Sequence, residues 1–432
     1  MQEARIENID TVILGAGLAG LSAARAGSGV VFEKQDEIGG TCRSSKTDGY
    51  TFDLGIHVLH TRNNHVLNLL SKDKNIGLKR KRRSAWIYSH RLLTKYPFQV
   101  NTFGLPSDIV SQCLTGFIDA LKRPKEDYHN YQDWIYAIFG RGIADNFYLP
   151  YSEKFWTIKA KELTTDWLGP RVPRPQLKDV IQGAFSVQKK EFGPNALFRY
   201  PGRGGIQRVA QALCGRSARV ALCKETVKVE LDKKLLHFSD CTVVRYNKLI
   251  STIPLTELSA ILDNSPKRVK EAVRDLRYNS VLCVNLGIKR EKITSRHWIY
   301  FPEAEYAAFR ISFPANFSSF TVPRKWSSVQ AEISYSRAKP IRHRDIVRKV
   351  IQDLIRARVI KPKDRVRLIN TQDIKYAYVI HDHNRLNNLK VINKFLRSKS
   401  VYNAGRYGKW EYQWMDDAIL DGRRAAQEAG RR

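Results

Sequence analysis

Cysteine is scarce and scattered. The six residues, Cys42, Cys113, Cys214, Cys223, Cys241 and Cys283, form no C-x-x-C pair. That argues against a disulfide scaffold or a zinc site, and for reduced thiols in a cytoplasm-like compartment. No apolar run approaches the length of a membrane helix, so no transmembrane segment is expected. The first ten residues carry acids and lack an apolar stretch, so no secretory leader is expected. No G-x-S-x-G occurs, which disfavours a serine hydrolase. Acidic residues are outnumbered: 42 Asp and Glu stand against 74 Lys and Arg, a net charge of +32. Such an excess suits nucleic acid, an anionic membrane or an anionic small ligand. No motif interleaves basic and aromatic residues, so no nucleic-acid partner is expected. The densest basic run, Lys79 to Arg83, reads as a solvated face between loops. At 432 residues the chain exceeds one ordinary core, and two or three domains are expected.

What is present is concentrated between Thr11 and Ser44. An apolar run, Thr11 to Leu14, ends in Gly15-x-Gly17-x-x-Gly20. A short helix-compatible piece follows from Leu18, then an apolar run, Val30 to Phe32, ending in Glu33. Gly15 turns the chain off the strand, Gly17 lets backbone N–H groups approach a pyrophosphate, and Gly20 lets helix and strand pack closely. The helix N-terminus favours negative charge there. Glu33 stands where an acid accepts hydrogen bonds from a ribose. Early glycines, Gly27 and Gly29, predict a short helix. This combination predicts dinucleotide binding. It leaves nicotinamide or flavin open.

Further along, residues 105 to 195 read as mainly helical, punctuated by Pro150, Pro170, Pro173 and Pro175. A glycine-rich return at 195–205 precedes a helix at 206–213. Strands are expected around 227–231, 249–253, 281–288, 298–301, 309–313 and 329–335, with a helix over 345–360. Val401 to Gly408 reads as a strand entering a glycine turn, and a terminal helix runs from about Met415 to Glu428. His381-x-His383 lacks further ligands for a metal, and no metal site is expected.

Two resemblances sharpen this. Gly39-Gly40-x-x-Arg43, followed by Gly49-Tyr-Thr-Phe-Asp53-Leu-Gly55, resembles the second phosphate-contacting segment of the FAD enzymes that include amine oxidases and protoporphyrinogen oxidase. Nearly the whole chain, patchily at 62–95 and 215–275, resembles the UDP-galactopyranose mutase family, especially its eukaryotic-type members. Gly55-Ile-His57-Val is similar to that family's glycine-histidine loop beside the flavin, although Ile56 replaces a glycine or proline. Tyr96-Pro-Phe98-Gln99 resembles its nucleotide-base pocket, and Trp167-Leu-Gly-Pro-Arg171-Val the loop bearing one diphosphate arginine. Trp298-Ile-Tyr300, with Arg310, resembles the strand pair bearing uracil contacts and the second diphosphate arginine. Trp156 and Asn195 fall on matching positions, while Ser152 replaces a frequent asparagine. Arg406 and Tyr412 resemble the terminal flavin arginine and substrate tyrosine, and Tyr378 a further phosphate-contacting tyrosine.

The resemblance implies an α/β fold: a discontinuous Rossmann-like FAD-binding domain (1–100, 196–275 and 391–432), a helical insertion (101–195) and a mainly antiparallel substrate sheet (276–390). It implies a catalytic set of His57, Arg171, Arg310, Tyr378 and Tyr412. The cofactor set is Gly15, Gly17, Gly20, Glu33, Gly40, Arg43, Gly55 and Arg406. It implies that reduced FAD, through N5, acts as covalent catalyst at an anomeric carbon while a nucleotide sugar changes between pyranose and furanose forms, with NADPH or NADH as reductant. The cation and phenol chemistry agrees, because arginines clamp a diphosphate bidentately and tyrosines donate to it. A flavin oxidoreductase of the amine or protoporphyrinogen oxidase type remains the alternative. A membrane-surface binder would leave the substrate-type residues idle.

Overall fold

β1 (Glu7–Leu14) runs parallel to β2 (Val30–Phe32) in the register Val12↔Val30 to Leu14↔Phe32. α1 (Leu18–Ala26) makes the crossover between them. The glycine spacing sets this geometry. Gly15 has φ +95, and a Cβ at Gly20 would come within 1.9 Å of the Gly15 carbonyl oxygen, so helix and turn can meet only without side chains. The computed structural model describes residues 6–122, 128–169, 172–193, 195–215 and 218–431.

Two seven-stranded sheets organise these residues. In the first, β1 lies between β2 and Val243–Ser251, both parallel to it. The opposite edge of Val243–Ser251 is shared: Leu235–Phe238 pairs antiparallel with its first half, and Val401–Asn403 pairs parallel with its last three residues. The terminal helix Met415–Gly430 then covers α1. Ser22 Oγ donates to the Ile419 carbonyl at 2.6 Å, and a Cβ at Gly422 would meet the Ala19 carbonyl oxygen at 1.9 Å. The buried side includes Ile13, Leu21, Val31, Leu213 and Ile419. Each such side chain contributes roughly 1.5–3 kcal/mol by leaving water.

The second sheet runs Val366–Val379, Tyr278–Ile288, Ser327–Tyr335, Arg310–Ser312, Trp298–Tyr300, Ala85–Ser89, Leu92–Lys95. All neighbours are antiparallel except Ala85–Ser89 with Trp298–Tyr300. A helical layer, chiefly Ser107–Lys122, Tyr131–Ile143, Leu149–Trp156 and Leu177–Phe185, packs beside it. In Ser107–Lys122 the buried residues Ile109, Cys113, Phe117 and Ala120 recur at helical spacing. The first two helices cross so closely that a Cβ at Gly140 would meet the Gly116 carbonyl oxygen at 1.9 Å.

The basic run departs from the sequence reading at its last residue. Leu78–Arg82 is a strand, paired antiparallel with Leu197–Pro201. Its partner strand carries buried Phe198 and Tyr200, which hold the ribbon against the core while Lys79, Arg80 and Arg82 remain exposed. Arg83 is not solvated at all, being 4% exposed. His381 and His383 are not a ligand pair either. His381 Nδ1 lies 3.1 Å from Asp166 Oδ2, and His383 Nε2 lies 3.3 Å from the Lys161 carbonyl. Among the described residues no helix is long and apolar enough to cross a membrane.

Candidate active site

The strand ends and glycine turns of the first sheet enclose a cavity of about 670 Å³. Gly15, Gly17, Glu33, Gly40, Arg43 and Arg406 all line it. Two turns face each other here: Gly17 and Gly39 form a parallel bridge, and a Cβ at Gly40 would come within 3.1 Å of the Gly17 Cα. No side chain caps the N-terminus of α1 at Gly17, so its first N–H groups are left for an acceptor from the cavity. Glu33, 8% exposed, accepts from the Ala16 N–H at 2.7 Å and the Gln35 N–H at 3.0 Å. Each carboxylate oxygen keeps a lone pair for a ribose hydroxyl. A cradle of glycine turns with uncapped N–H groups and the buried Glu33 carboxylate fits a dinucleotide such as FAD.

A second cavity of about 280 Å³ adjoins the first, and His57, Ile374, Arg406, Trp414 and Met415 line both. Burial, then the Arg406 charge, lowers the His57 pKa to about 4, so the ring is neutral at pH 7. Its Nδ1 lies 3.4 Å from the Gly55 carbonyl, which can only accept. Nδ1 therefore carries the proton and Nε2 is left as an acceptor.

Strand register gathers the cationic wall. Tyr300 pairs with Arg310, Arg310 with Glu332, and Glu332 with Cys283, one row across four strands. The Arg310 guanidinium donates to Glu332 through Nε, and through Nη2 at 3.0 Å. Burial opposes the charge on Arg310, and the Glu332 carboxylate more than restores it. Glu332 Oε1 also accepts from the Ile56 N–H at 3.1 Å, which ties the His57 loop to the sheet. Gly55 has φ +71, and a Cβ there would come within 2.8 Å of that same oxygen. Opposite, Tyr378 and Tyr412 stack at 6.3 Å, with Trp156 and Trp167 each 5.9 Å from Tyr412. Burial pushes the Tyr378 phenol well up, so it stays a donor. Arg406 is anchored to the Gln413 carbonyl by Nε at 3.0 Å and Nη2 at 2.5 Å.

Of the sequence-predicted residues, His57, Tyr96, Trp156, Asn195, Trp298, Tyr300, Arg310, Tyr378 and Tyr412 line the second cavity. Arg171 lies outside the described residues. Phe98 is fully buried, stacked on Phe147 at 5.1 Å behind the wall. Gln99 also sits behind it, its Nε2 donating to the Pro173 carbonyl at 2.9 Å. Gly20 lies under the cradle, where it allows the turn and helix to meet. Sequence reasoning missed Glu332, Tyr131, Tyr151 and Arg83. The signal for Glu332 was present in Ser328-Val-Gln-Ala-Glu332-Ile-Ser334. Polar and apolar residues alternate there, and in the structure Glu332 faces the cavity while Gln330 Nε2 donates to the Asp53 carbonyl and Asn285 Oδ1.

A glycine-turn dinucleotide cradle opening onto a cationic, aromatic cavity defines a dinucleotide-binding α/β protein. The chain belongs to the flavin containing amine oxidoreductase family, whose profile matches residues 18–429. It is similar to the crystal structure of a reduced UDP-galactopyranose mutase, at 27% identity and TM-score 0.91, over 97% of this chain and 93% of that one. A putative protoporphyrinogen oxidase from Exiguobacterium sp. 255-15 shares the fold at 13% identity and TM-score 0.76, over 99% of both chains. A 64-residue stretch is 39% identical to all-trans-retinol 13,14-reductase of Danio rerio, covering 14% of this chain and only 10% of that protein.

Proposed function

We propose that the protein is an FAD-dependent nucleotide-sugar mutase that interconverts the pyranose and furanose forms of UDP-galactose or a related nucleoside diphosphate hexose. One observation carries this reading. The cavity that meets the cofactor cradle at His57 and Arg406 also holds Arg310, Tyr378 and Tyr412, a cation and two phenols suited to a diphosphate. Reduced FAD supplies a nucleophilic N5 at the anomeric carbon.

The chain supplies the rest. Arg310 binds the diphosphate, with Tyr378 and Tyr412 donating to its oxygens. Those contacts keep the nucleoside diphosphate in place while it is detached from the sugar and the ring reopens and recloses. Glu332 fixes the Arg310 fork and holds the His57 loop by the Ile56 N–H. His57 offers a neutral Nε2 acceptor at the mouth of the cradle. Trp156 and Trp167 exclude water from the diphosphate wall.

The experiment is anaerobic incubation of the FAD-loaded protein with UDP-galactofuranose, with and without dithionite, followed by chromatography of the sugar nucleotide. Conversion to the pyranose only in the reduced sample is the expected result. A flavin oxidoreductase, the reading that family membership alone favours, would consume an oxidisable substrate stoichiometrically and isomerise nothing. The in vivo reductant on this reading is NADPH or NADH.

A further inference from the structure

Arg83 is buried at 4% exposure, directly after the basic strand, and two of its partners, Tyr96 and Asn195, line the second cavity. Its backbone N–H donates to the Ala196 carbonyl at 2.9 Å. Its Nη2 donates to the Phe192 carbonyl at 2.8 Å, and its Nη1 to Asn195 Oδ1. The guanidinium lies over the Tyr96 ring, 4.8 Å from the centroid. Asn195 and Tyr96 line the cavity, and Arg83 does not. So a buried cation ties Phe192, Asn195 and Tyr96 together from behind.

The chemistry of that tie fixes a polarity. A guanidinium has five donors and no acceptor, so only the oxygen of an amide can face it. Asn195 therefore cannot turn its amide over without setting NH₂ against N–H. Its Nδ2 is the atom left for the cavity, and it can only donate. Tyr96 and Tyr300, with ring centroids 5.2 Å apart, flank this end with flat faces suited to a base. Arg310 and the phenols take the diphosphate.

We infer that Arg83 is a positioning residue that locks Asn195 in the donor-outward orientation, so that the cavity selects a base presenting a carbonyl oxygen over one presenting an amino group at the same position. This rests on the nucleotide-sugar reading and adds the residue that sets base discrimination. The contrast is cleanest between uracil and cytosine, which differ by a carbonyl against an amino group at C4. A donor meets the first and is left facing another donor by the second. Sites built this way discriminate strongly, because the mismatched group is buried unpaired.

The test is calorimetric titration of the FAD-loaded protein with UDP and with CDP, on the wild type, Arg83→Met and Asn195→Asp. The wild type is expected to bind UDP at least about tenfold tighter than CDP. In Arg83→Met the amide is free to turn, and the ratio should fall to within about threefold. Asn195→Asp keeps the Arg83 contact as an ion pair and puts an acceptor in the cavity, so CDP should gain on UDP. It also guards against Arg83→Met simply failing to fold, which flavin content and a thermal melt would reveal. Equal losses for both nucleotides in both variants would place Asn195 on the diphosphate and overturn the inference. UDP binding with no preference over CDP in the wild type would overturn it while leaving the mutase reading intact. No UDP binding at all would overturn both.

Discussion

Arg310 and Glu332 face each other across neighbouring antiparallel strands, and the guanidinium donates to the carboxylate through two nitrogens. The pair holds a cation ready in the cavity, and it also sets an anion beside the place proposed for a diphosphate. Glu332→Gln keeps one acceptor oxygen, for Arg310 Nη2 and the Ile56 N–H, gives up the contact to Arg310 Nε, and removes the charge. UDP should then bind more tightly by about three- to tenfold at low salt, since a neighbouring like charge is worth on the order of 1 kcal/mol. Isothermal titration reads this directly, and weaker binding would show that Glu332 serves the ligand rather than competing with it.

Charge in the cavity should count and charge on the ribbon should not. Arg310→Ala is expected to raise KM for the sugar nucleotide at least about tenfold, by losing a charge-assisted contact typically worth roughly 1.5–3 kcal/mol. A triple Gln replacement of the exposed Lys79, Arg80 and Arg82 should leave steady-state rates within about twofold. Arg83 must be kept out of that set, because it is buried against Asn195. Similar losses from both variants would restore an electrostatic role for the ribbon.

Flavin retention should depend on Glu33 in two ways. The carboxylate holds the Ala16 and Gln35 N–H groups and is the acid available to a ribose. Glu33→Ala should weaken FAD binding by roughly ten- to a hundredfold, a loss of about 1.5–3 kcal/mol. Equilibrium dialysis with absorbance of the bound flavin measures it. Unchanged retention would move the ribose away from Glu33.

Acid should destabilise the fold before any carboxylate pair is lost. Burial lowers His57, His60 and His297 to about 4. Between pH 6.5 and about 4 the unfolded chain takes up protons on these rings that the folded chain refuses, so stability falls as pH falls through that window. Each ring contributes at most about 3 kcal/mol. Asp53 works the other way: burial raises it to about 6, against hydrogen bonds from Ser44, Ile206 and Tyr200, and its contribution is lost as pH rises through 6. His381 is lowered in the same way, and burial raises Asp382 and Asp416 as it raises Asp53. The largest shifts, three rings against Asp53, leave a net loss on acidification. Thermal melts should show a lower Tm at pH 5 than at 7.5, and His297→Asn should reduce the difference. An equal or higher Tm at pH 5 contradicts the assignment.

The cofactor half was legible because its chemistry is local. Gly15, Gly17, Gly20 and Glu33 lie within one crossover, and both sequence and structure give a short helix after them. The strands at 281–288 and 329–335 were also found, because alternation or an apolar run marks them, although Tyr278–Ile288 begins three residues earlier. The expected helix over 345–360 is His343–Arg356, shifted because its tail closes in a turn with Arg358 at φ +55. The cavity was harder to read. Glu332 meets Arg310 only through strand register, and Arg83 meets Asn195 only because the ribbon 78–82 pairs with 197–201. A charge run in one dimension gave no hint that its last residue turns inward.

The cofactor sheet also has a temporal consequence. Its strand Val401–Asn403 docks on Val243–Ser251, and the helix that seals α1 begins at Met415. On a ribosome, the glycine turns emerge long before Arg406 and the sealing helix can reach them. Stable flavin loading is therefore a late event in synthesis. A nascent chain stalled before residue 401 lacks the Gly405–Ala418 side of the cradle and carries an unpaired strand edge, which exposes it to association before it can hold a flavin.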